Sequence, residues 1–542
     1  MSYEKNRLES IFLRMINCSS ISGTKEEINM AREIYAIVQE NPYFQQNPQY
    51  LSLNPIPGDA LGRYFVTALV KGRGDRTVIL INHHDIVDYE GYGQYRNLAL
   101  DPKVLTAELD PNSLPEEAKE DLLSGEWLFG RGVMDMKCGG ALQISLMDEI
   151  TQDIERFEGN ILFVSVPDEE NNSAGMLGAV PKINEIKETY GLAYTAVVNS
   201  EPHHREEGLH DLFIGAIGKV LPIFYCMGKE THAGELLEGL SADSLLSEIE
   251  RGMQLNMNFV DEADGEYTMP PTVLKMGDTK EHYNVSTPAT AYAYYNVFSL
   301  KRSPKEILEM VKGVAQNAFD NGLDKFRKVS EEYSTLTGKK YPCPWETKVF
   351  TYDEMYQMNK EALGASFEEH MKLFIQANQG IAEDERDFAI KVIGEVVRLS
   401  PDRDPKIVVA FAPPYYPHLR NKGESQKEKH LMGVVDRLQK YGKESFDMEW
   451  RVNRFHKGIS DMSYCGLQDA QDVLLMLKPN MPTFGYSYTL PLEEMAKLNV
   501  PVVNVGPWGK DAHKFTERLH MPFAYEIAPQ LLKFTVMGLL EE

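Results

Sequence analysis

Four places in this chain put metal-binding side chains directly behind short apolar runs. His83-His84-Asp85 follows VILIN (78–82), Pro167-Asp168-Glu169-Glu170 follows ILFVSV (161–166), Glu201 follows TAVVNS (195–200), and PVVNV (501–505) leads into a loop that carries His513. A fifth candidate, Asp135, lies in the glycine-rich segment GRGVMDMKCGG. His, Asp and Glu gathered without thiolates form the donor set of a catalytic Zn²⁺ pair or a related divalent cation. Carboxylates alone would suit Mg²⁺ or Ca²⁺, and the histidines tip the balance. Residues two apart in an extended stretch share a face, so Asp85 reaches the side of His83 while His84 points away. Asp85 is then placed to hold the His83 imidazole in its ligating tautomer. Glu169 and Glu170 are adjacent and must diverge, so that one can bind metal while the other faces the water to be activated. His203-His204, Glu206-Glu207 and Arg73-Gly74-Asp75 follow no strand end and read as surface.

The elements that position these groups are legible in outline. The four β-branched runs read as strands buried on both faces, with helical patterns between several of them, which indicates a parallel or mixed sheet covered by helices. Open α/β sheets bind ligands beyond the carboxyl ends of their strands, so the candidate groups converge in one crevice. The first three runs are close in sequence but the fourth begins only at 501. An insertion therefore separates them. It starts with the alternating stretches GKVLPIFYCMG and AYAYYNVFSL, read as half-exposed strands, and continues with helical patterns at 303–333, 352–378 and 383–399. The expected organisation is a catalytic domain in two parts, 1–214 and 421–542, with an inserted α+β unit at 215–420. Near the start, SSISGTKEEINMAREIYAIVQ reads as a loop and a helix, with Thr24 and Glu27 at capping-box spacing.

Composition narrows the function further. A chain of 542 residues is too long for one ordinary core. Its net charge of -25 argues against nucleic acid and anionic membrane as partners, since both need a basic surface, and favours small molecules. Five scattered cysteines suggest neither a disulfide framework nor a metal clip, which fits the cytoplasm. No secretory leader or membrane-spanning run is expected. GxSxG, GxxxxGK[ST] and a post-strand GxGxxG are all missing from the sequence.

The motifs HHD at 83–85, GRGVMDMKCG at 130–139, DEE at 168–170, SEP at 200–202, GISDMSY at 458–464 and GPWGKDAHKFTE at 506–517 occur in this order over most of the chain. In them the sequence resembles the co-catalytic di-zinc metallopeptidase and aminoacylase family, which includes glutamate carboxypeptidase, bacterial dipeptidases and succinyl-diaminopimelate desuccinylase. Its length and middle segment look most like the RocB subgroup of arginine utilisation. The resemblance implies an α/β fold: a phosphorylase/hydrolase-like three-layer α/β/α zinc-peptidase domain with an inserted α+β lid. It implies two Zn²⁺ ions, with Co²⁺ or Mn²⁺ as substitutes, and hydrolysis of a peptide or N-acyl amino-acid bond. Asp135 would bridge the ions, His83 and Glu201 would complete one site, and Glu170 and His513 the other. Glu169 would be the general base, and the Asp135–Met136 peptide would be cis. GAIGKV with GKETHAGE resembles the family segment whose histidine reaches a second subunit's active site. That implies an oxyanion role for His232 in a lid-to-lid homodimer, and a substrate contact for Asn284 in YNVSTP.

Several positions depart from the family pattern. Ile86-Val87-Asp88 runs into a long insert reaching about 127 where relatives make a short turn. Phe298 stands where many relatives carry an arginine for the substrate carboxylate, so either Lys301 or Arg302 substitutes or the substrate presents no carboxylate there. The lid segment is also longer than usual. Two other readings stand beside hydrolysis of an amide: a non-catalytic amino-acid or peptide-binding regulator that retains the fold, and a di-metal phosphoesterase.

Overall fold

In the computed structural model of the protein, which describes residues 2–380, 384–456, 458–468 and 470–541, the four apolar runs form neighbouring strands. Asn160–Val166, Arg76–His83, Ala193–Asn199 and Val502–Asn504 lie side by side in that order and are mutually parallel. Their carboxyl ends therefore share one edge. The sheet continues antiparallel through Tyr64–Lys71 and Leu51–Pro55 on one side. On the other side Leu209–Phe213 meets Val502–Asn504 antiparallel, and Glu449–Asn453 runs parallel to it.

Alternation along these strands feeds two helical layers. Val78, Leu80, Ile161, Phe163, Ala196 and Val198 form one core with apolar residues of the helices Ser2–Asn17, Lys137–Thr151 and Ala528–Leu540. Ile79, Leu162, Val164 and Val197 are equally buried on the opposite face, the side on which Ala174–Tyr190 packs. Each of the larger side chains, Ala196 aside, contributes about 1.5–3 kcal/mol by burial, so the register that carries the site residues to the sheet edge is strongly specified. The result is the expected three-layer α/β/α arrangement.

The chain divides into two units. The first comprises Met1–Ile217, Leu419–Gln468 and Pro491–Glu542, and holds the sheet just described. The second comprises Gly218–His418 and Asp469–Leu490. It is built on a five-stranded sheet in the order Thr272–Asp278, Thr290–Ser299, Gly218–Met227, Lys406–Tyr416, Val349–Thr351. The Gly218–Met227 strand is buried almost throughout, because the helices Ala242–Met253, Pro304–Thr337 and Glu385–Leu399 all pack against it; the expected half-exposed alternation holds only for Thr290–Ser299. Pro304–Thr337 and Glu385–Leu399 are single helices, and the 352–378 pattern is broken at Gly364, whose φ of 68° ends one helix before the next begins.

One local expectation is corrected. The helix Glu26–Gln39 forms, but Thr24 and Glu27 do not make a capping box: Lys25 is the N-cap without a side-chain bond, and Glu27 is buried against Arg63. A charged partner outcompetes a local backbone bond there. The charged N-terminal stretch is itself a helix, Ser2–Asn17, with Leu8, Ile11, Phe12 and Met15 in the core. Among the described residues no helix is long and apolar enough to cross a membrane, and all five cysteines are free.

Candidate metal centre

Each candidate donor sits where an element of the first unit stops. His83 is the last residue of its strand, Glu201 lies two residues past the end of Ala193–Asn199, and Glu169-Glu170 occupies the turn between Asn160–Val166 and Ala174–Tyr190. Asp168 enters that turn at φ 72°, and its carboxylate accepts from the Ala174 amide and from Arg63 Nη1 at 2.6 Å. Asp135 precedes the helix Lys137–Thr151 through a cis Asp135–Met136 peptide. His513 lies on a loop between the short strands Gly509–Lys510 and Arg518–His520, at φ 67°. Glycines admit this crowding. A Cβ on Gly139 or on Gly506 would lie 2.1 Å from the carbonyl oxygen of Ser200 or Glu201 respectively.

The side chains converge on two histidines. His83 Nε2 is 3.3 Å from Asp135 Oδ1 and 3.4 Å from Glu201 Oε1. His513 Nε2 is 3.3 Å from Asp135 Oδ2 and 2.9 Å from Glu170 Oε1. Asp135 thus turns one oxygen to each histidine. Donors held about 2.1 Å from a tetrahedral cation stand about 3.4 Å apart, so three of these four separations match two cation sites sharing Asp135. They are also too long for good N–H···O hydrogen bonds, which favours a shared cation over direct pairing. Ligand atoms of His83, Asp135 and Glu201 lie within 4.8 Å of one another, as do those of Asp135, Glu170 and His513. Glu169 Oε2 is 4.0 Å from His83 Nε2, a wider spacing, although His83, Glu169 and Glu170 form a third close group.

The electrostatics of the chain's own groups point the same way. Burial, with Glu170, Glu201 and Asp461 nearby, pushes the Glu169 carboxyl well above its ordinary range against the pull of His83. Burial raises Glu201 to about 7, and burial with the Asp135 charge raises Glu170. The adjacent Asp135 and Glu170 carboxylates raise His513 to about 10. Asp135 is held low: burial opposes its charge, but His513 and His83 outweigh that. Buried carboxylates this crowded are costly without a cation. The donor set fits a pair of divalent ions.

Asp85 lies beside His83 Nδ1 with two groups. Its carboxylate stands 3.5 Å from His83 Nδ1, whereas its backbone carbonyl lies at 3.2 Å from the same nitrogen. A carbonyl can only accept, so it leaves Nδ1 protonated and Nε2 free to ligate. The Asp85 carboxylate instead accepts the Glu169 and Glu170 amides, each at 3.2 Å, and so shapes the turn that presents both glutamates. His84 points away as expected, with Nδ1 3.1 Å from Ser165 Oγ. His203, read as surface, is buried: it lies 2.8 Å from His210 among Trp450 and Phe523, and both rings are pushed down, chiefly by burial, to about 3 and about 4.

His232 and Asn284 belong to the second unit and are both exposed. His232 pairs in a bridge with Ser286, its Nδ1 accepts from the Gly234 amide at 3.0 Å, and Asn284 Oδ1 accepts from Ser286. Phe298 lies opposite Lys219 in the sheet. Lys301 pairs with Glu262, and Arg302 with Asp261 and the Asn258 carbonyl. Sequence reasoning passed over Arg131, Glu517 and Asp461, all inside quoted motifs. Arg131 Nη1 meets Glu517 Oε2 at 2.6 Å and its Nη2 donates to the His513 carbonyl, while Glu517 Oε1 accepts from Met134 and Asp135 amides. Asp461 is buried with neither carboxylate oxygen in an ordinary hydrogen bond, and burial raises it to about 8. The only signal for these three was their place inside motifs that also hold, or lie between, the candidate donors.

A family model described as peptidase family M20/M25/M40 matches residues 109–521. The chain is 37% identical over 544 residues to a Bacillus subtilis protein described as uncharacterized protein YqjN, covering 99% of this chain and 97% of that one. It is 30% identical over 541 residues to Protein RocB of Bacillus subtilis, covering 99% and 95%. Among solved structures it is similar to the M20 family metallo-carboxypeptidase Sso-CP2 from Sulfolobus solfataricus, with a TM-score of 0.56 at 12% identity over 98% of this chain and 99% of the other. A tripeptidase from Staphylococcus aureus gives a TM-score of 0.53 at 13% identity over 99% of both chains. At such identities the structures speak to the fold alone.

Proposed function

Because the chain belongs to peptidase family M20/M25/M40, we propose that it is a two-metal hydrolase that cleaves a peptide or N-acyl amino-acid bond in a small substrate. The observation that carries this reading is the Asp135 carboxylate, which offers one oxygen to His83 and the other to His513 at the same 3.3 Å. In this reading His83 and Glu201 hold one ion, Glu170 and His513 hold the other, and Asp135 serves both. Zinc suits this donor set best, with cobalt or manganese as substitutes. When bound, such ions polarise a carbonyl and bring the pKa of water toward about 7.

The chain's own groups do the rest. Glu169 takes the proton of the attacking water and passes it to the leaving amine; its buried setting favours the protonated form that the second transfer requires. Asp85 keeps Glu169 aimed by holding its backbone amide. His232 accepts at Nδ1 from Gly234, so the neutral ring carries its proton on Nε2 and is a donor suited to an oxyanion. Asn284 is proposed as a substrate contact, and pairing of second units as the basis of a homodimer. A cytoplasmic place in arginine or other amino-acid breakdown belongs to the same proposal. Metal analysis joined to a chelation-and-restoration assay tests it, run over dipeptides, N-acyl amino acids and arginine derivatives. Hydrolysis that is lost on chelation and restored by zinc is expected. A chain that cleaves nothing in the panel, or that prefers phosphate esters, counts against the reading.

A further inference from the structure

The insert that follows the His83 strand has a small core of its own. Tyr92, Ala99, Leu105, Leu109, Leu114 and Ala118 pack with Trp127 and Phe129, and Trp508 and Phe515 lean against them from either side of His513. The backbone is joined as well. Trp127–Phe129 pairs antiparallel with Arg518–His520, the inner strand of the hairpin whose loop carries His513. Without that pairing the hairpin has only the two-residue outer strand Gly509–Lys510 against Arg518–His520, too little to stand alone.

Charge ties the same parts together. Asp121, on the insert helix Glu116–Ser124, receives Arg518 Nε at 2.6 Å and Lys510 Nζ at 2.9 Å, one cation from each strand of the hairpin. The Arg518 side chain is 0% exposed and its Nη1 continues to Asp511 Oδ2 at 2.5 Å, inside the loop itself. Asp511 also accepts from Thr516. His513, by contrast, is half exposed and sits in a left-handed conformation, uncommon for a residue with a side chain.

We propose that the insert is a buttress for the His513 side of the metal pair and that Asp121 is its positioning residue. The inference rests on the two-metal reading above. Asp121 acts through Lys510, Arg518 and Asp511, and touches neither ion nor substrate. Its loss frees the hairpin and lets His513 drift from Glu170 and Asp135, whereas His83 and Glu201, at the ends of central strands, keep their places. One ion is therefore weakened and the other is not.

The test is a titration of the metal-free protein with Co²⁺, followed by visible absorption and a competing chelator, alongside its thermal unfolding. The wild-type chain is expected to take up two ions. Asp121→Asn is expected to hold the first within about twofold and to lose about 10- to 100-fold in affinity for the second, the range typical of partners that orient a ligand. Equal weakening of both ions, or a lower melting temperature with both affinities unchanged, overturns the proposal. If Asp121→Asn fails to fold, Lys510→Met removes one arm of the same tie and is expected to give a smaller loss confined to the second ion; no such loss overturns it equally. Glu117→Gln, at an exposed partner of Lys510, is expected to change neither affinity. A wild-type chain that takes up no ion overturns the two-metal reading along with this one.

Discussion

Replacing Gly139 by alanine adds one methyl group where the structure has no space for it. The Cβ would lie 2.1 Å from the Ser200 carbonyl oxygen and 3.0 Å from the Ser200 Cβ, while ordinary contact begins at 3.4 Å. Both sides are backbone, in the first turn of a helix and at the end of a central strand, so neither yields as a flexible side chain does. Relief requires the Ser200-Glu201 segment to move by about 1 Å, and a misplacement of that size in a catalytic constellation costs about 10²-fold in turnover. Stability changes less. Alanine gains about 1 kcal/mol over glycine in a helix, set against about 1–3 kcal/mol for overpacking. The assay is turnover and metal content on the purified variant, with Gly140→Ala as control, where the nearest atom is the flexible Met15 Cε at 2.9 Å. Gly139→Ala with wild-type turnover and a full metal complement would refute the reasoning, since Glu201 would then tolerate displacement.

Glu169→Gln keeps the shape of the site and removes the base; turnover is expected to fall by roughly 10² to 10⁴ with metal content unchanged, and wild-type turnover would remove the assignment. Arg63→Met strips the buried partner of Glu27 (2.9 Å), Asp168 (2.6 Å) and Asp59 (2.8 Å), and is expected to cost about 3–5 kcal/mol, read as an earlier denaturation midpoint. Burial and the Asp85 charge raise Glu27 from 4.5 to about 8, so its contribution is complete below 4.5 and is lost as pH rises toward 8. Without Arg63 that upper limit moves higher still, and the variant's deficit is expected to be larger near pH 9 than near pH 6. An equal deficit at both pH values would show that Glu27 is not charged against Arg63.

Residues buried on both faces were readable because nothing competes with their pattern: VILIN, ILFVSV, TAVVNS and PVVNV all became central strands, and the polar residues behind them all reached one edge. The strands Leu51–Pro55 and Glu449–Asn453 are polar and only partly buried, and so carry little periodic signal. The GKVLPIFYCMG stretch misled because its burial is decided by the helices packed against it, not by its own alternation. Glu27 and His203 were misplaced for a related reason. Their partners, Arg63 and His210, are distant or unremarkable in sequence, and burial of a polar group is decided by its partner. At the site the candidate side chains that gather were legible from type and position, but the Asp85 carbonyl against His83 Nδ1 was not, because backbone carbonyls leave no mark in a sequence.

Anomalous diffraction from a zinc-loaded crystal of the whole chain tests the central claim most directly. Two peaks are expected, one against His83 and Glu201 and the other against Glu170 and His513, with the Asp135 carboxylate between them. No peak at these residues, or a single peak that leaves His513 without a ligand, would contradict the account.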